Sequence, residues 1–226
     1  MKSFALAALA GFATALDVPA FEYFNYLSQF NKSYNTDSEF KMRFERFIKT
    51  HTHITEHNEQ ENNSYTAGHN QFSDWTYAEY KAIMGYKKGE NVTRNTTVFA
   101  EVNSDGIDWR QLGGVTPVKD QGQCGSCWSF STTGAMEGAH FIQTGDLLSF
   151  SEQQLVDCST LNLGCNGGNP LWAYRYLKSH YAELESVYPY VSGTTMKAGD
   201  CQYDAMSKTA VEVTASASVT DRKSVV

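Results

Sequence analysis

Every cysteine in this chain lies in its second half: Cys124, Cys127, Cys158, Cys165 and Cys201. That confinement splits the 226 residues into two parts with different means of holding together. The first part must rely on packing alone, while the second can be cross-linked if the chain reaches an oxidising compartment. The N terminus supplies such an address. Met1-Lys2-Ser3 is a short positive start, Phe4 to Leu16 is apolar apart from Thr14, and Ala13-Thr14-Ala15 is a small-x-small step. The run is too short to span a bilayer, so residues 1–16 are expected to be a secretory signal peptide cut near Ala15 or Leu16. No other stretch is long and apolar enough for a membrane span, and the product is expected to be soluble. An odd cysteine count leaves one thiol to explain. Export also makes Asn31, Asn62, Asn91 and Asn95 glycosylation acceptors, all of them before the first cysteine. A formal net charge of -7 argues against a nucleic-acid binder, which needs a basic face.

The first half reads as helical. Phe21, Tyr23, Phe24, Tyr26, Leu27 and Phe30 form an aromatic-rich amphipathic stretch, and Asn31 to Asp37 is a polar break. Asp37 or Ser38 can cap a second helix that runs to about Asn58. Within it Glu39, Arg43, Phe47, Thr50, Ile54 and Asn58 recur at three- and four-residue steps. At about 100° per residue they fall within an arc of roughly 100°, a single stripe. By spacing alone the stripe is any amphipathic helix face. Gly68-His69-Asn70-Gln71-Phe72-Ser73-Asp74 follows, and Ser73 or Asp74 can cap a short helix through Ala82. Residues 89–104 are polar and read as an exposed linker open to cleavage, with Val102 to Gly106 as the expected processing region.

In the second half Val115 to Lys119 reads as extended, and a helix is expected from about Ser126 to Gly145, where glycine supplies the C-cap. Ser151-Glu152 opens another helix toward Cys158. Leu161 to Asn169 is loop, Pro170 to about His180 is helical, and the Thr- and Val-rich tail after Cys201 resembles the start of a strand region.

The most informative segment is Gln121-Gly-Gln-Cys-Gly-Ser-Cys127-Trp128. It places Cys127 in the first turn of a helix, where unpaired N–H groups and a partial positive charge favour a thiolate, the reactive form of cysteine. The Cys127 N–H and the Gln121 side-chain amide could together face an oxyanion. Nucleophile and oxyanion hole are the parts of an acyl-transfer site. Three other readings stand beside it: half a zinc site, for which Cys158-x6-Cys165 is a poor second pair; a redox pair, without the βαβ pattern that goes with one; and two purely structural cysteines.

The segment resembles the nucleophile region of papain and the cathepsins, whose local signature is Cys-Gly-[Ser/Ala]-Cys-[Trp/Tyr]. Asp108-Trp109-Arg110, Val115 to Lys119, Leu148 to Ser159 and Gly164-Cys165-Asn166-Gly167-Gly168 are similar to further parts of that family. The helical stripe resembles the prosegment pattern named for Glu, Arg, Phe, Asn, Ile and Asn, with Thr50 in place of its first Asn. Gly68, Asn70, Phe72 and Asp74 match the second prosegment motif at every position. The cathepsin L-like branch is the nearest in type. The resemblance implies an α+β, papain-like fold whose helical lobe is present and whose β-barrel lobe is mostly missing, preceded by a helical inhibitory prosegment. It implies a signal peptide at 1–16, a prosegment at 17–103 with its core near 21–80, and the N-terminal part of a peptidase domain at 104–226. It implies disulfides Cys124–Cys165 and Cys158–Cys201, with Cys127 free as nucleophile and Gln121 as oxyanion donor. Gly167 and Gly168 would bind substrate backbone, and Asn169 with Pro170 would border the specificity pocket. The implied partners are a peptide or protein substrate and the chain's own prosegment, in a monomer that needs no cofactor or metal.

A nucleophilic cysteine of this kind needs an imidazole. In this family the His and its orienting Asn follow roughly 130–150 residues later, at about residue 257 or beyond. The chain is therefore expected to stop short of a complete site. None of its six histidines matches that position; His53 and His57, at i,i+4, read as a solvated helix face rather than a metal site. The expected function is a cysteine endopeptidase zymogen in the secretory pathway, lysosome-like or extracellular, inactive as residues 1–226. The alternative is a prosegment-type inhibitor or decoy of related enzymes.

Overall fold

The structure, a computed structural model, describes residues 18–89, 106–203 and 211–214. The expected signal peptide, Asn91, Asn95, the segment from 215 onward and all but the last residue of the expected processing region lie outside the described residues. The chain divides into two compact units, Met1–Tyr80 and Lys81–Val226.

Unit one is built on α1 (Val18–Gln29) and α2 (Asp37–Asn58). α1 gives way at Asn31, an asparagine at φ 50°, a left-handed conformation that residue tolerates better than most. α2 is capped one residue before the expected caps. Thr36 is extended, and its hydroxyl accepts from the Glu39 N–H at 3.2 Å, so Asp37 and Ser38 fall inside the first turn. The aromatic run of α1 meets α2 in a core of Tyr23, Tyr26 and Phe47, with ring centroids 5.0 Å apart for Tyr23–Phe47 and for Tyr26–Phe47.

The stripe on α2 serves as a spine of specific contacts. Arg43 forks onto Glu79 at 2.7 and 2.5 Å and reaches Glu39 at 3.4 Å. Phe47 is fully buried. The Thr50 hydroxyl donates to the Ser73 carbonyl at 2.8 Å. Asn58 exchanges two hydrogen bonds with the Ala67 backbone, and Ile54 is half-buried between them. The second motif is a turn on this spine. Asn70 Oδ1 accepts from the Phe72 N–H at 2.9 Å, and the Phe72 ring packs edge-on to Trp75. Gly68 is exposed, with open space where a side chain would stand.

Ser73 and Asp74 do not cap the third helix. Asp74 is fully buried and accepts from Tyr26 at 2.9 Å, from Tyr34 and from Lys32, while Ser73 Oγ accepts from the Asn70 N–H. The cap of α3 (Tyr77–Ile83) is Thr76, in a reciprocal box: Glu79 N–H to Thr76 Oγ1 at 3.3 Å and Thr76 N–H to Glu79 Oε2 at 2.7 Å. The Asp74 carboxylate is drawn instead to the hydroxyls of Tyr26 and Tyr34 and the ammonium of Lys32.

Unit two contains α4 (Cys127–Thr144), α5 (Glu152–Cys158), a 3-10 turn at Gly164–Asn166, α6 (Pro170–Leu177) and the four-residue α7 (Ser192–Thr195). α4 ends at Gly145, at φ 82°, whose N–H returns to the Phe141 carbonyl. Trp128, Met136, Phe150, Leu155, Val156, Ala173 and Leu177 form the apolar core. Beside it lies a charged cluster. Lys119 bridges Glu137 at 2.8 Å and Glu152 at 2.7 Å, both carboxylates nearly inaccessible. Thr116 and Thr133 add a hydroxyl to each. Desolvation works against the Lys119 charge, but its hydrogen bonds to the two carboxylates outweigh it and raise its pKa.

Among the described residues there is no extended strand, only isolated bridges: Tyr86 with Gly168, Phe150 with Leu184, and Ala182 with Val211. The expected strand region after Cys201 is represented by Val211, which exchanges two backbone hydrogen bonds with Ala182 at 2.8 and 3.0 Å. No helix among the described residues is long and apolar enough to cross a membrane.

Unit one contains two groups that acid should disturb. His69 Nε2 lies 3.1 Å from His51 Nδ1, its ring stacks on Phe47 at 4.5 Å, and its Nδ1 is buried without a partner. Burial first, and then the nearby His51 charge, lower its pKa below the ordinary 6.5, with Glu22 opposing. The hydrogen bonds from Arg43 hold Glu79 down at about 2, against an ordinary 4.5. A lowered histidine pKa means the unfolded chain takes the proton first, so this stability is intact above pH 6.5 and is lost as pH falls through it. The Glu79 contribution is intact above 4.5 and fades toward 2. Hydrogen exchange of the full chain should therefore show α1 and α2 amides losing protection from pH 7 to pH 4. His69→Gln should flatten the upper part of that fall; an unchanged profile would contradict the assignment.

Candidate active site

Four segments of unit two converge on the head of α4. Ser126 is its N-cap residue by position, yet its hydroxyl makes no cap bond and instead meets the Tyr190 hydroxyl at 2.7 Å. Cys127 opens the helix, half-buried, and is the free cysteine among the described residues. The loop before it is fastened by the Cys124–Cys165 disulfide, with Cα atoms 4.6 Å apart. Gly125 lies against the 3-10 turn, its N–H on the Cys165 carbonyl at 3.0 Å, where an added Cβ would come within 2.5 Å of that oxygen. A second disulfide joins Cys158 at the end of α5 to Cys201. These are the pairs the family resemblance implies. With Cys124 bonded to Cys165, the two cysteines of the Cys124-x-x-Cys127 step do not form a redox pair with each other.

Gln121 sits at the other end of the loop. Its Nε2 donates to the Cys124 carbonyl at 2.7 Å, which orients the amide, and to the Ile83 carbonyl at 2.9 Å. The side chain thus already presents an N–H to a backbone carbonyl oxygen at hydrogen-bond distance.

The Gly167–Pro170 strip forms the facing wall. Gly167 needs its left-handed φ of 107°. Gly168 packs so closely that a Cβ would stand 2.3 Å from Asn162 Oδ1 and 2.8 Å from the Trp128 ring. Asn162 holds the strip by accepting from the Asn169 N–H at 2.7 Å. Asn169 Oδ1 caps α6 by accepting from Leu171 N–H, and Pro170 takes the first helical position, where a missing N–H costs nothing.

The chain's own residues 83–87 occupy this wall. The Gly168 N–H donates to the Gly85 carbonyl and the Lys87 N–H to the Gly168 carbonyl, each at 2.7 Å, in a parallel bridge. Asn169 Nδ2 donates to the Lys87 carbonyl at 2.9 Å. Gly85 permits the approach, since a Cβ there would lie 1.7 Å from the Gly125 carbonyl oxygen. The strip therefore pairs with the backbone of residues 85–87, and the Gln121 amide meets the carbonyl of Ile83, the last residue of α3.

The histidines of unit two lie elsewhere. His140 is thirteen residues along α4, about 20 Å from its start, and packs edge-on to Phe150. His180 stacks on Tyr176 at 4.1 Å. In unit one Asn31 and Asn62 are exposed, as a glycan acceptor must be. Tyr190, Asn162 and the Ile83–Lys87 segment carry no sequence signal of their own, because each acts through a contact with distant residues.

Comparison with known proteins bears on the whole arrangement. Residues 103–225 match the papain family of cysteine proteases, and residues 23–80 match the cathepsin propeptide inhibitor domain. Digestive cysteine proteinase 1 of Homarus americanus is 45% identical over 80% of this chain and 59% of its own length. A cathepsin L-like proteinase of Fasciola hepatica is 43% identical over 77% of this chain and 55% of its own. The structure of digestive procathepsin L 3 from the larval midgut of Tenebrio molitor superposes with a TM-score of 0.71 at 35% identity, over 87% of this chain and 64% of that one. The fold is papain-like with its propeptide, and the chain spans less than two thirds of the length of these relatives.

Gly85→Ala tests the packing of the segment on the wall. The overlap with Gly125 should lift residues 83–87 and speed iodoacetamide alkylation of Cys127 about tenfold, the scale of a 1–3 kcal/mol overpacking penalty. An unchanged rate would mean that the segment does not guard the thiol.

Proposed function

The chain belongs to the papain family of cysteine proteases, and on that premise we propose that it is the zymogen of a cathepsin L-like cysteine endopeptidase with Cys127 as nucleophile. The observation that carries this reading is the free Cys127 at the head of α4, three residues after Cys124, whose carbonyl orients the Gln121 amide. In the reaction, Cys127 Sγ adds to the scissile carbonyl carbon. The negative oxygen is met by the Cys127 N–H and a Gln121 Nε2–H. An imidazole, which neither His140 nor His180 supplies, takes the Sγ proton at the attack and returns it to the departing amine as the intermediate collapses; water then hydrolyses the thioester and frees the thiol. Gly167 and Gly168 hold the substrate backbone, and Asn169 and Pro170 border the pocket that selects its side chain.

The prosegment, residues 17–103, is the inhibitor of this site. Its support is the match of residues 23–80 to an inhibitor domain and the hydrogen bonding of residues 83–87 to Gln121 and Gly168. The same hydrogen bonding supports the second reading, in which the chain restrains related peptidases. Export through a signal peptide at 1–16 takes the product into the secretory pathway, as a glycosylated monomer bound for a lysosome-like compartment or the exterior. His140 and His180 pack on Phe150 and Tyr176, which supports the proposal that residues 1–226 alone do not turn over.

Two measurements on the full chain test this. A peptidyl chloromethyl ketone should label Cys127 faster than it labels glutathione at the same pH, and Cys127→Ser should abolish labelling. A fluorogenic dipeptide at acidic pH should show no turnover. Labelling no faster than glutathione would overturn the nucleophile; hydrolysis blocked by a thiol alkylator would overturn the inactivity of this polypeptide.

A further inference from the structure

One oxygen atom ties together the two residues on which the proposed chemistry depends. The Tyr190 hydroxyl donates to the Gln121 backbone carbonyl at 2.8 Å and, with its lone pair, takes the Ser126 hydroxyl at 2.7 Å. Gln121 carries the oxyanion amide, and Ser126 immediately precedes Cys127. The hydroxyls run in one direction, Ser126 to Tyr190 to the Gln121 carbonyl, so each donor has one acceptor. Ser126 is fully buried, and its backbone closes the loop with its N–H on the Cys124 carbonyl at 2.8 Å. Its hydroxyl forgoes the usual capping role to meet Tyr190.

Tyr190 is itself held rigidly. Its N–H donates to Glu185 Oε1 at 2.8 Å, and its ring stands edge-on to Phe130 of α4 at 4.9 Å. The next residues are anchored to α5, where the buried Gln153 accepts from the Val191 and Ser192 N–H groups, both at 2.9 Å. Gly193 completes the brace by accepting from the Gln123 N–H at 2.9 Å, and a Cβ on Gly122 would meet Gly193 at 2.7 Å. Burial raises the Tyr190 pKa, so the phenol keeps the proton it donates.

We propose that Tyr190 is a positioning residue for the oxyanion site, fixing the Gln121 amide relative to the Cys127 N–H through its paired contacts with Gln121 and Ser126. It touches no reacting atom. The inference rests on the reading of Cys127 and Gln121 given above. A hydroxyl that merely stabilised the fold would affect every reaction of Cys127 alike. A positioning hydroxyl affects those that place charge on an oxygen.

The experiment uses the full chain with Gly85→Ala as a common background, so that residues 83–87 do not compete. Two reagents are compared on Cys127. A peptide aldehyde forms a tetrahedral adduct whose oxygen needs the donors; iodoacetamide alkylates sulfur without one. Tyr190→Phe should weaken the aldehyde about tenfold, less than the loss of a donor itself, and leave alkylation within about twofold. Gln121→Ala should weaken the aldehyde at least as much. The double variant should be no weaker than Gln121→Ala by more than about twofold, because Tyr190 acts through Gln121. If Tyr190→Phe does not fold, Ser126→Ala removes one of the two contacts and should weaken the aldehyde about threefold, on the same scale. Parallel losses for both reagents, or full additivity in the double variant, would overturn the inference and leave the nucleophile reading standing. A Gln121→Ala chain with undiminished aldehyde affinity would overturn the oxyanion assignment itself, and this inference with it.

Discussion

The Cys124–Cys165 disulfide is the constraint on which the rest of unit two depends. It ties the loop before α4 to the 3-10 turn across a sequence separation of 41, reducing the freedom of the unfolded chain and fixing which backbones can touch. With that tie in place Gly125 lies on the Cys165 carbonyl, the glycine strip stands opposite the loop, and Gly85 fits against Gly125. It also settles the fate of the odd thiol. With Cys124 committed to Cys165, and Cys158 to Cys201, the cysteine at the head of the helix has no partner left.

Buried groups in the two units respond to acid in opposite senses. In unit one the neutral His69 and the ionised Glu79 both favour the folded state at higher pH. In unit two Glu185 behaves the other way. Burial, and then the charge of Glu152, raise its pKa above the ordinary 4.5, with the Tyr190 N–H opposing. A raised carboxyl holds its proton more tightly when folded, so its contribution is greatest at low pH and declines as pH rises through its titration. Acidification thus weakens the unit that matches an inhibitor domain while relieving a buried carboxyl in the other.

Much of this was legible in the sequence where the signal was local. The stop of α4 was readable from Gly145 and the start of α5 from Ser151, because capping acts within a few residues; Ser126 marks the start of α4 by position alone, since its hydroxyl makes no cap bond. Thr50 departs from the prosegment pattern, yet its hydroxyl reaches the Ser73 carbonyl, a role that no spacing argument shows. Thr36 and Thr76 were missed as caps because neighbouring Asp37 and Asp74 are equally good candidates on paper. Only the buried tyrosine hydroxyls around Asp74 show why it is otherwise engaged. Tyr190 and Asn162 could not be found from sequence, since their partners lie 64 residues away at Ser126 and seven away across a tight strip at Asn169. Residues 83–87 carry no motif, because their role is played by backbone atoms.

Peptide mapping of the unreduced full chain by mass spectrometry tests the central claim most directly. The account predicts cross-linked peptides joining Cys124 to Cys165 and Cys158 to Cys201, with Cys127 recovered as a free thiol. A cross-link containing Cys127, to Cys124 or to any other cysteine, would contradict it.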